Sequence, residues 1–354
     1  MSILIVGPIS GPVTGQNVAN NLLIEGLKSN NCVDYVDTNQ ISEISNFNNQ
    51  GKLSIKKIFS DIKNIFEIIK KINKNNYTKI YITPGQTFLG FIKFAPIINY
   101  ANIKKEQIFL HFHGGYFRKM YQSCSSVKQK YLKKVLKKAN GVIVLSNSLK
   151  KMFLNIIETE KIYICENGID ETFLSEKPKK KNLCVNILFL SNLMKTKGIL
   201  DLIESTTYME YKFKLHIAGN LPDDIKETFF DKINKNSNIH YYGPVYGEKK
   251  KKLFEKTDVF CLPTYYPVEG QPISILEAMG MGCAIVTTRH SGIPDIVQNG
   301  INCFFCEKQN PNSIAKEIKN AFDNLMILSQ NNKQIVKEKY LQKHFVERIE
   351  CILK

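Results

Sequence analysis

Short apolar runs alternate with stretches of helical spacing along most of this chain, and that alternation limits the fold more than any other feature. Residues 3–6, 79–83, 107–111 and 141–145 are brief and nearly continuously apolar, the pattern of parallel strands buried on both faces. Between them, 17–27, 53–72 and 127–138 repeat apolar residues at helical intervals. Strands separated by helices predict βαβ units and a doubly wound parallel sheet. The stretch 175–182 (SEKPKKKN) has charge, proline and no period, so it reads as a linker. Beyond it the alternation restarts. Strands are expected at 185–190, 214–218, 239–242, 259–262 and 284–288, and helices at 198–206, at 224–233 and from Pro272 onward. At 354 residues the chain exceeds what one hydrophobic core usually serves, so two α/β domains are expected, with a ligand-binding cleft between them. The expected boundaries are 1–168 and 169–335. The segment 336–354 lies in a helix read over 334–353 and is expected to complete the first domain.

Charge narrows the partners. The net charge is +17, and residues 1–170 hold 23 Lys/Arg against 11 Asp/Glu, while 171–354 hold 26 against 21. A basic first half favours an anionic partner, either a phosphate-bearing substrate or an anionic lipid surface. Only Arg118, Arg289 and Arg348 are arginines, so the bidentate clamps that read bases are scarce, and no recognition-helix motif is present. Nucleic acid is not the expected partner. Nine cysteines, an odd number spread through a long chain, argue for reduced thiols. Cys303 and Cys306 lack a second pair, and His111 and His113 lack a third ligand, so no metal and no cofactor is expected. No apolar run of 18 residues occurs; the strongest, 88–98, is broken by Lys93 and Pro96 and reads as a helix packed on the sheet, with a membrane surface as its alternative. The start lacks a basic region before its apolar run. A cytoplasmic protein is expected, with a peripheral place on the inner face of the membrane open to it.

The segment PVEGQPISILEAMGMG, residues 267–282, carries the most chemistry. Pro272 suits the first position of a helix and Gly282 its end. The free amides of such a helix make an anion site, with Glu269 just before it and Glu277 about 7.5 Å along it by the helical rise. Two carboxylates flanking an anion site suit a molecule with phosphate in its middle and hydroxyls at both ends, as in a nucleotide-sugar. Two glutamates eight residues apart say little alone, and a pair of solvated side chains is the plain alternative.

The surroundings decide. Glu269 to Glu277 resembles the E-x7-E motif of the retaining glycosyltransferases of family 4, which have the GT-B fold of two facing Rossmann-like domains. ILFLSNLMKTKGILDLIES, KLHIAGNLP, SGIPDIV, VIVLSNSLKK and ICENGID resemble that family's segments as well. The resemblance implies that Glu277 accepts hydrogen bonds from ribose hydroxyls and that Glu269 holds hydroxyls of the transferred sugar. It also implies that amides of Gly270, Gln271, Pro272 and Ile273 line the sugar and distal phosphate (Pro272 itself having no N–H), and that Lys197 neutralises the leaving diphosphate. The family often has an arginine five residues before that lysine; here Asn192 stands there, with Lys195 nearby. Gly11 and Gly15 resemble the glycine-rich loop that approaches the donor phosphates and acceptor. His113, ending a strand before two glycines, resembles the active-site histidine that meets the donor sugar. Arg118 and Lys119, read as loop residues, offer charge to an acceptor phosphate. The activity implied is transfer of a hexose or N-acetylhexosamine from a nucleoside-diphosphate sugar, UDP favoured, to a glycan hydroxyl. The acceptor implied is lipid-diphosphate-linked, as in O-antigen or capsule synthesis. The rivals are a GT-B epimerase or hydrolase of nucleotide-sugars and, in another class, a basic nucleic-acid-binding protein.

Overall fold

The computed structural model describes residues 1–11, 14–39 and 55–354, with only the helical backbone given for 55–59. Pro12 and Val13 of the glycine-rich segment, and the first two residues of the helix expected over 53–72, lie outside the described residues. The chain divides into two compact units, Met1–Gly168 with Gln342–Lys354, and Ile169–Leu341.

In the first unit the strands are β1 (Ser2–Gly7), β2 (Cys32–Asp37), β3 (Lys79–Ile82), β4 (Gln107–Phe112), β5 (Gly141–Val144) and β6 (Ile162–Ile164). Its helices are α1 (Gly15–Leu27), α2 (Ile55–Lys74), α3 (Phe88–Ile92), α4 (Ala95–Ile103), α5 (Phe117–Ser123), α6 (Ser126–Leu136) and α7 (Asn147–Lys150). The sheet is parallel in the order β2-β1-β3-β4-β5-β6, so strand order reverses between β1 and β3. Its core gathers Leu4, Ile82, Phe91, Phe112, Phe117 and Phe153, all fully buried. The run 88–98 forms two helices, α3 and α4, with Phe91, Phe94, Ala95, Ile97 and Ile98 buried. The packed reading of that run holds, and its membrane reading is corrected, because those apolar side chains face the sheet.

The second unit contains β7 (Val185–Leu190), β8 (Phe213–Ala218), β9 (Ile239–Tyr241), β10 (Val259–Leu262), β11 (Ala284–Thr287) and β12 (Cys303–Phe305). Its helices are α8 (Ile199–Ser205), α9 (Lys226–Ile233), α10 (Gly247–Lys256), α11 (Ile273–Gly280), α12 (Pro311–Asp323) and α13 (Leu325–Lys339). The parallel order β12-β11-β10-β7-β8-β9 reverses between β7 and β10. In such sheets ligands settle at the carboxyl ends of the strands beside the reversal.

Three expectations are corrected here. The stretch 175–182 does not join the units: Ile169 N–H already bonds the Tyr340 carbonyl inside the second unit, and Lys179 Nζ donates to the carbonyls of Phe254, Glu255 and Thr257 at the end of α10. The helix expected over 334–353 is two helices, α13 and α14 (Gln342–Leu353), separated at Tyr340 and Leu341, and the second unit runs to Leu341 rather than 335. The later helix packs on α1, where Gln342 Nε2 donates to Leu22 O at 2.8 Å and Asn31 Nδ2 to Glu350 Oε1 at 2.6 Å.

Candidate functional site

In the second unit the loops leaving β7 and β10 are joined directly. Tyr265 N–H bonds Thr196 O at 2.8 Å. Gly198, at φ +80°, ends the turn holding Lys197, and a Cβ there would lie 2.4 Å from Pro263 O. Only glycine permits both that backbone and that approach. The approach brings Lys197 Nζ to 2.6 Å from Glu269 Oε2, with side chains 12% and 8% exposed, and sets the ammonium 4.8 Å from the Tyr266 ring centroid. Thr264 Oγ1 donates to the same carboxylate oxygen at 3.0 Å, and Ser291 Oγ donates to the Glu269 carbonyl at 2.5 Å. Ser291 does this from the left-handed region, at φ +52°. His290 Nε2 bonds Tyr266 O at 2.7 Å, and its Nδ1 faces Lys308 Nζ at 3.0 Å. Burial above all, with the Lys308 and Lys197 charges, holds that imidazole below its ordinary pKa.

Behind this pair lies α11. Pro272 caps the helix instead of occupying its first turn, as the sequence predicted, and no side chain caps the N-terminus. Amides left without a side-chain cap make this helix start a candidate anion site. Every residue of α11 except Ser274 is buried, including Glu277. Glu277 Oε1 accepts from Lys250 Nζ of α10 at 2.6 Å, whereas its Oε2 is buried without a hydrogen-bond partner. Burial pushes the Glu277 carboxyl up, and Lys250 opposes that shift. A buried carboxylate with one open oxygen is costly in a purely structural helix and is the kind of group that meets a hydroxyl ligand. Gln271 is buried just before the helix. Asn192 follows β7, its carbonyl accepting from Met194 N–H at 2.8 Å, while Lys195 is exposed and its charge acts on Asp201.

In the first unit His111 and His113 sit at the end of β4 with ring centroids 4.1 Å apart, the same-side placement that strand alternation predicts. His111 Nδ1 meets the Tyr81 hydroxyl at 2.5 Å. Both nitrogens of His113 are closed to solvent, and burial pushes its pKa down to about 4 against the opposing Asn167 amide. His113 is therefore a neutral imidazole near pH 7. Among its described residues, the loop after β1 is not an open cradle of amides. The Asp37 carboxylate takes the N–H groups of Ile9, Ser10 and Asn39 at 2.9–3.0 Å, and Asn17 and Asn39 both donate to Ser10 O. An acid ending β2 is where a dinucleotide fold would bind ribose; here it ties the loop. Gly11 (φ +87°) and Gly15, first residue of α1, remain on that loop. Arg118 and Lys119 are corrected from loop to helix α5, because Gln86 Oε1 caps the turn by accepting from the amides of Tyr116 and Phe117. Arg118 Nη1 already donates to Leu154 O at 2.7 Å, leaving Lys119 as the exposed cation of the two.

The structure thus joins Lys197 with Glu269, and Glu277 with a residue that sequence reasoning missed. Lys250 lies in the run Lys249–Lys252, where any of four lysines would pass for a solvated side chain. The usable signal was its spacing three and four residues before Leu253 and Phe254, the buried residues of α10. Thr264 and Ser291 carried no signal: Thr264 acts on Glu269 from five residues earlier in the same loop, and Ser291 from the loop after β11.

Comparison with known proteins bears on the family and the fold. Capsular polysaccharide biosynthesis glycosyltransferase CapM of Staphylococcus aureus is 24% identical over 366 residues, covering 93% of this chain and 91% of that one. The N,N'-diacetylbacillosaminyl-diphospho-undecaprenol alpha-1,3-N-acetylgalactosaminyltransferase of Campylobacter jejuni is 24% identical over 51% of this chain and 45% of that one. Among solved structures, Anabaena Alr3699/HepE in complex with UDP and glucose aligns with a TM-score of 0.75 at 15% identity, covering 100% of this chain and 99% of that one. The two doubly wound units are those of the GT-B fold. The family model described as Glycosyl transferases group 1 matches residues 170–350, over half of the 354, and it is to this family that the chain belongs.

Proposed function

We propose that this glycosyltransferase, of the family 4 type, moves a hexose or N-acetylhexosamine from a nucleoside-diphosphate sugar to a hydroxyl of a glycan carried on a lipid diphosphate. UDP is the favoured nucleotide, the anomeric configuration is retained, no metal takes part, and the product serves surface-polysaccharide assembly of the O-antigen or capsule kind. The observation that carries the reading is the Lys197–Glu269 pair at 2.6 Å beside the strand-order reversal, with Glu277 on the helix behind it. On donor binding, Lys197 exchanges Glu269 for the diphosphate, and the freed Glu269 oxygen accepts from hydroxyls of the sugar. Amides of Gly270, Gln271 and Ile273 meet the sugar and distal phosphate, and Glu277 Oε2 accepts from the ribose. The bond from C1 to the phosphate oxygen breaks with its electron pair leaving on the diphosphate, the acceptor oxygen bonds C1, and the acceptor's hydroxyl proton is released. Developing charge on the departing diphosphate is what a fixed ammonium and a helix N-terminus stabilise, which is the role a metal would otherwise fill. Neutral His113 serves as a hydrogen-bond partner of the donor sugar.

The acceptor side rests on charge and on relatives. One relative's name specifies a diphospho-undecaprenol acceptor and another's a capsular polysaccharide. The HepE structure holds UDP and glucose. In the first unit α2 exposes Ile62 and Phe66 beside Lys63 and Lys70, and α6 exposes Val127 and Tyr131 beside Lys128, Lys130 and Lys134. No helix of the described residues is long and apolar enough to cross a membrane. Peripheral attachment through these helices is part of the proposal, at roughly 1 kcal/mol per lysine near an anionic surface. Flotation with anionic liposomes tests it: binding should fall as salt rises, and its absence at low salt refutes attachment.

Thermal melting against UDP, GDP, ADP and CMP and their sugars tests the donor side. A nucleotide at about 100 times its Kd adds ~2.7 kcal/mol. One nucleotide family should raise the midpoint, and Glu277→Ala should abolish that response. Release of free sugar or an epimer in the absence of any acceptor would favour the hydrolase or epimerase reading instead.

A further inference from the structure

Glu277 is held in an unequal way. Its Oε1 accepts from Lys250 Nζ at 2.6 Å, while its Oε2 is buried and bonded to nothing. The lysine is itself confined: its side chain is 17% exposed, against 4% for the glutamate, and its ammonium lies 5.1 Å from the centroid of the Phe173 ring. Phe173 is fixed in turn, because its carbonyl packs where a Cβ on Gly280 would stand, 2.3 Å away, at the end of α11. Lys250, Phe173 and Glu277 therefore come from three separate segments and lock one carboxylate rotamer. The charge of Asp170 repels Glu277. The helix α13 brings Lys333 to Gly282, past the end of α11. Lys250 is thus the cation that neutralises Glu277.

We infer that Lys250 is a positioning residue for nucleoside recognition: by occupying Oε1 it fixes the Glu277 carboxylate and leaves Oε2, a bare acceptor, for the vicinal hydroxyls of the ribose. This rests on the reading of Glu277 as the ribose acceptor. A carboxylate tied at one oxygen accepts from one diol in one orientation, whereas an untied one in a buried site takes a proton or rotates. The inference also divides the labour of the two lysines. Lys197 acts on the diphosphate, and Lys250 acts only through the carboxylate that grips the sugar of the nucleoside.

The test measures dissociation constants of UDP, GDP and ADP for the wild type, takes the tightest, and repeats the measurement with its 2′,3′-dideoxy form. The variants are Lys250→Met, Lys250→Arg, Glu277→Gln and the Lys250→Met/Glu277→Gln pair. Lys250→Met should weaken the ribonucleotide by about 10- to 100-fold, as a site loses when a hydroxyl goes unrecognised. It should leave the dideoxy form within about threefold, and Lys250→Arg should keep most of the affinity. The double variant leaves no unpaired buried charge, so it is expected to fold even where Lys250→Met does not, and it should bind no more weakly than Glu277→Gln alone. Equal weakening of ribose and dideoxy forms by Lys250→Met, or additive losses in the double variant, overturns the inference. If Glu277→Gln binds like the wild type, or none of the three nucleotides binds the wild type, the ribose reading fails and the inference with it. Should Glu277→Gln weaken binding while Lys250→Met does not, only the role of Lys250 is refuted.

Discussion

Lys197 and Glu269 form a nearly buried ion pair, and each depends on the other for its cost of burial. Removing only the lysine leaves a carboxylate out of water. Lys197→Met is therefore expected to lower stability by about 3 kcal/mol and the transfer rate by about 10²- to 10³-fold. Adding Glu269→Gln should recover stability without recovering activity. Denaturant unfolding of the four proteins of this cycle, with kcat measured beside it, checks both; a double variant no more stable than Lys197→Met would mean that the pair does not hold this loop. Ser291 poses a smaller question. Its left-handed backbone costs about 1 kcal/mol that glycine avoids, while its hydroxyl anchors the Glu269 carbonyl. Ser291→Gly should thus leave the melting midpoint nearly unchanged and reduce kcat several-fold; a loss of stability with kcat intact would assign Ser291 to structure alone.

Among the elements, the turn before α8 sets the pair's geometry. Gly198→Ala adds a Cβ 2.4 Å from Pro263 O at φ +80°, so a loss of about 2–4 kcal/mol is expected, with a midpoint several degrees lower and weaker donor binding. A variant that melts like the wild type would show that the β7 and β10 loops part easily. Elements were legible where apolar period and length agreed: β7 and β10 stand at the residues predicted, and α8 and α11 begin within one residue of them. Those missed share a reason. CVDYVD of β2 alternates polar and apolar residues because β2 is an edge strand, and IYI of β6 is short and also at an edge. The helix α10, GEKKKKLFEK, buries only Leu253 and Phe254, too little for an apolar stripe. Nor did spacing alone mark the break at Tyr340 and Leu341, where Ile169 pairs with Leu341 and interrupts what reads as one helix.

Across the whole molecule, three histidines report on pH, two of them buried and His113 partly so with both ring nitrogens closed to solvent. His113 and His216 are each pushed down to about 4 by burial, and His111 well below its ordinary 6.5 by burial and by His113 beside it. A group whose folded pKa lies below its unfolded one binds its proton later in the fold than in the unfolded chain. Stability is then full above pH 6.5 and is lost as pH falls toward 4, by about 3 kcal/mol for His113 alone. Melting midpoints between pH 7.5 and 4.5 should fall, and His113→Asn should flatten part of that fall; an unchanged slope would mean that His113 takes its proton in the folded state. Sequence alone determined the α/β class, the doubly wound units and the motif that marks Glu269 and Glu277, because period, punctuation and residue type are local properties of a chain. Tertiary structure decided which lysine of four faces Glu277, that Asp37 closes the β1 loop, that Arg118 is already bonded, and that Lys197 reaches Glu269. Each of these is a contact between residues far apart in the chain, and its distance follows from strand order and the close approach of two loops, which no local pattern records.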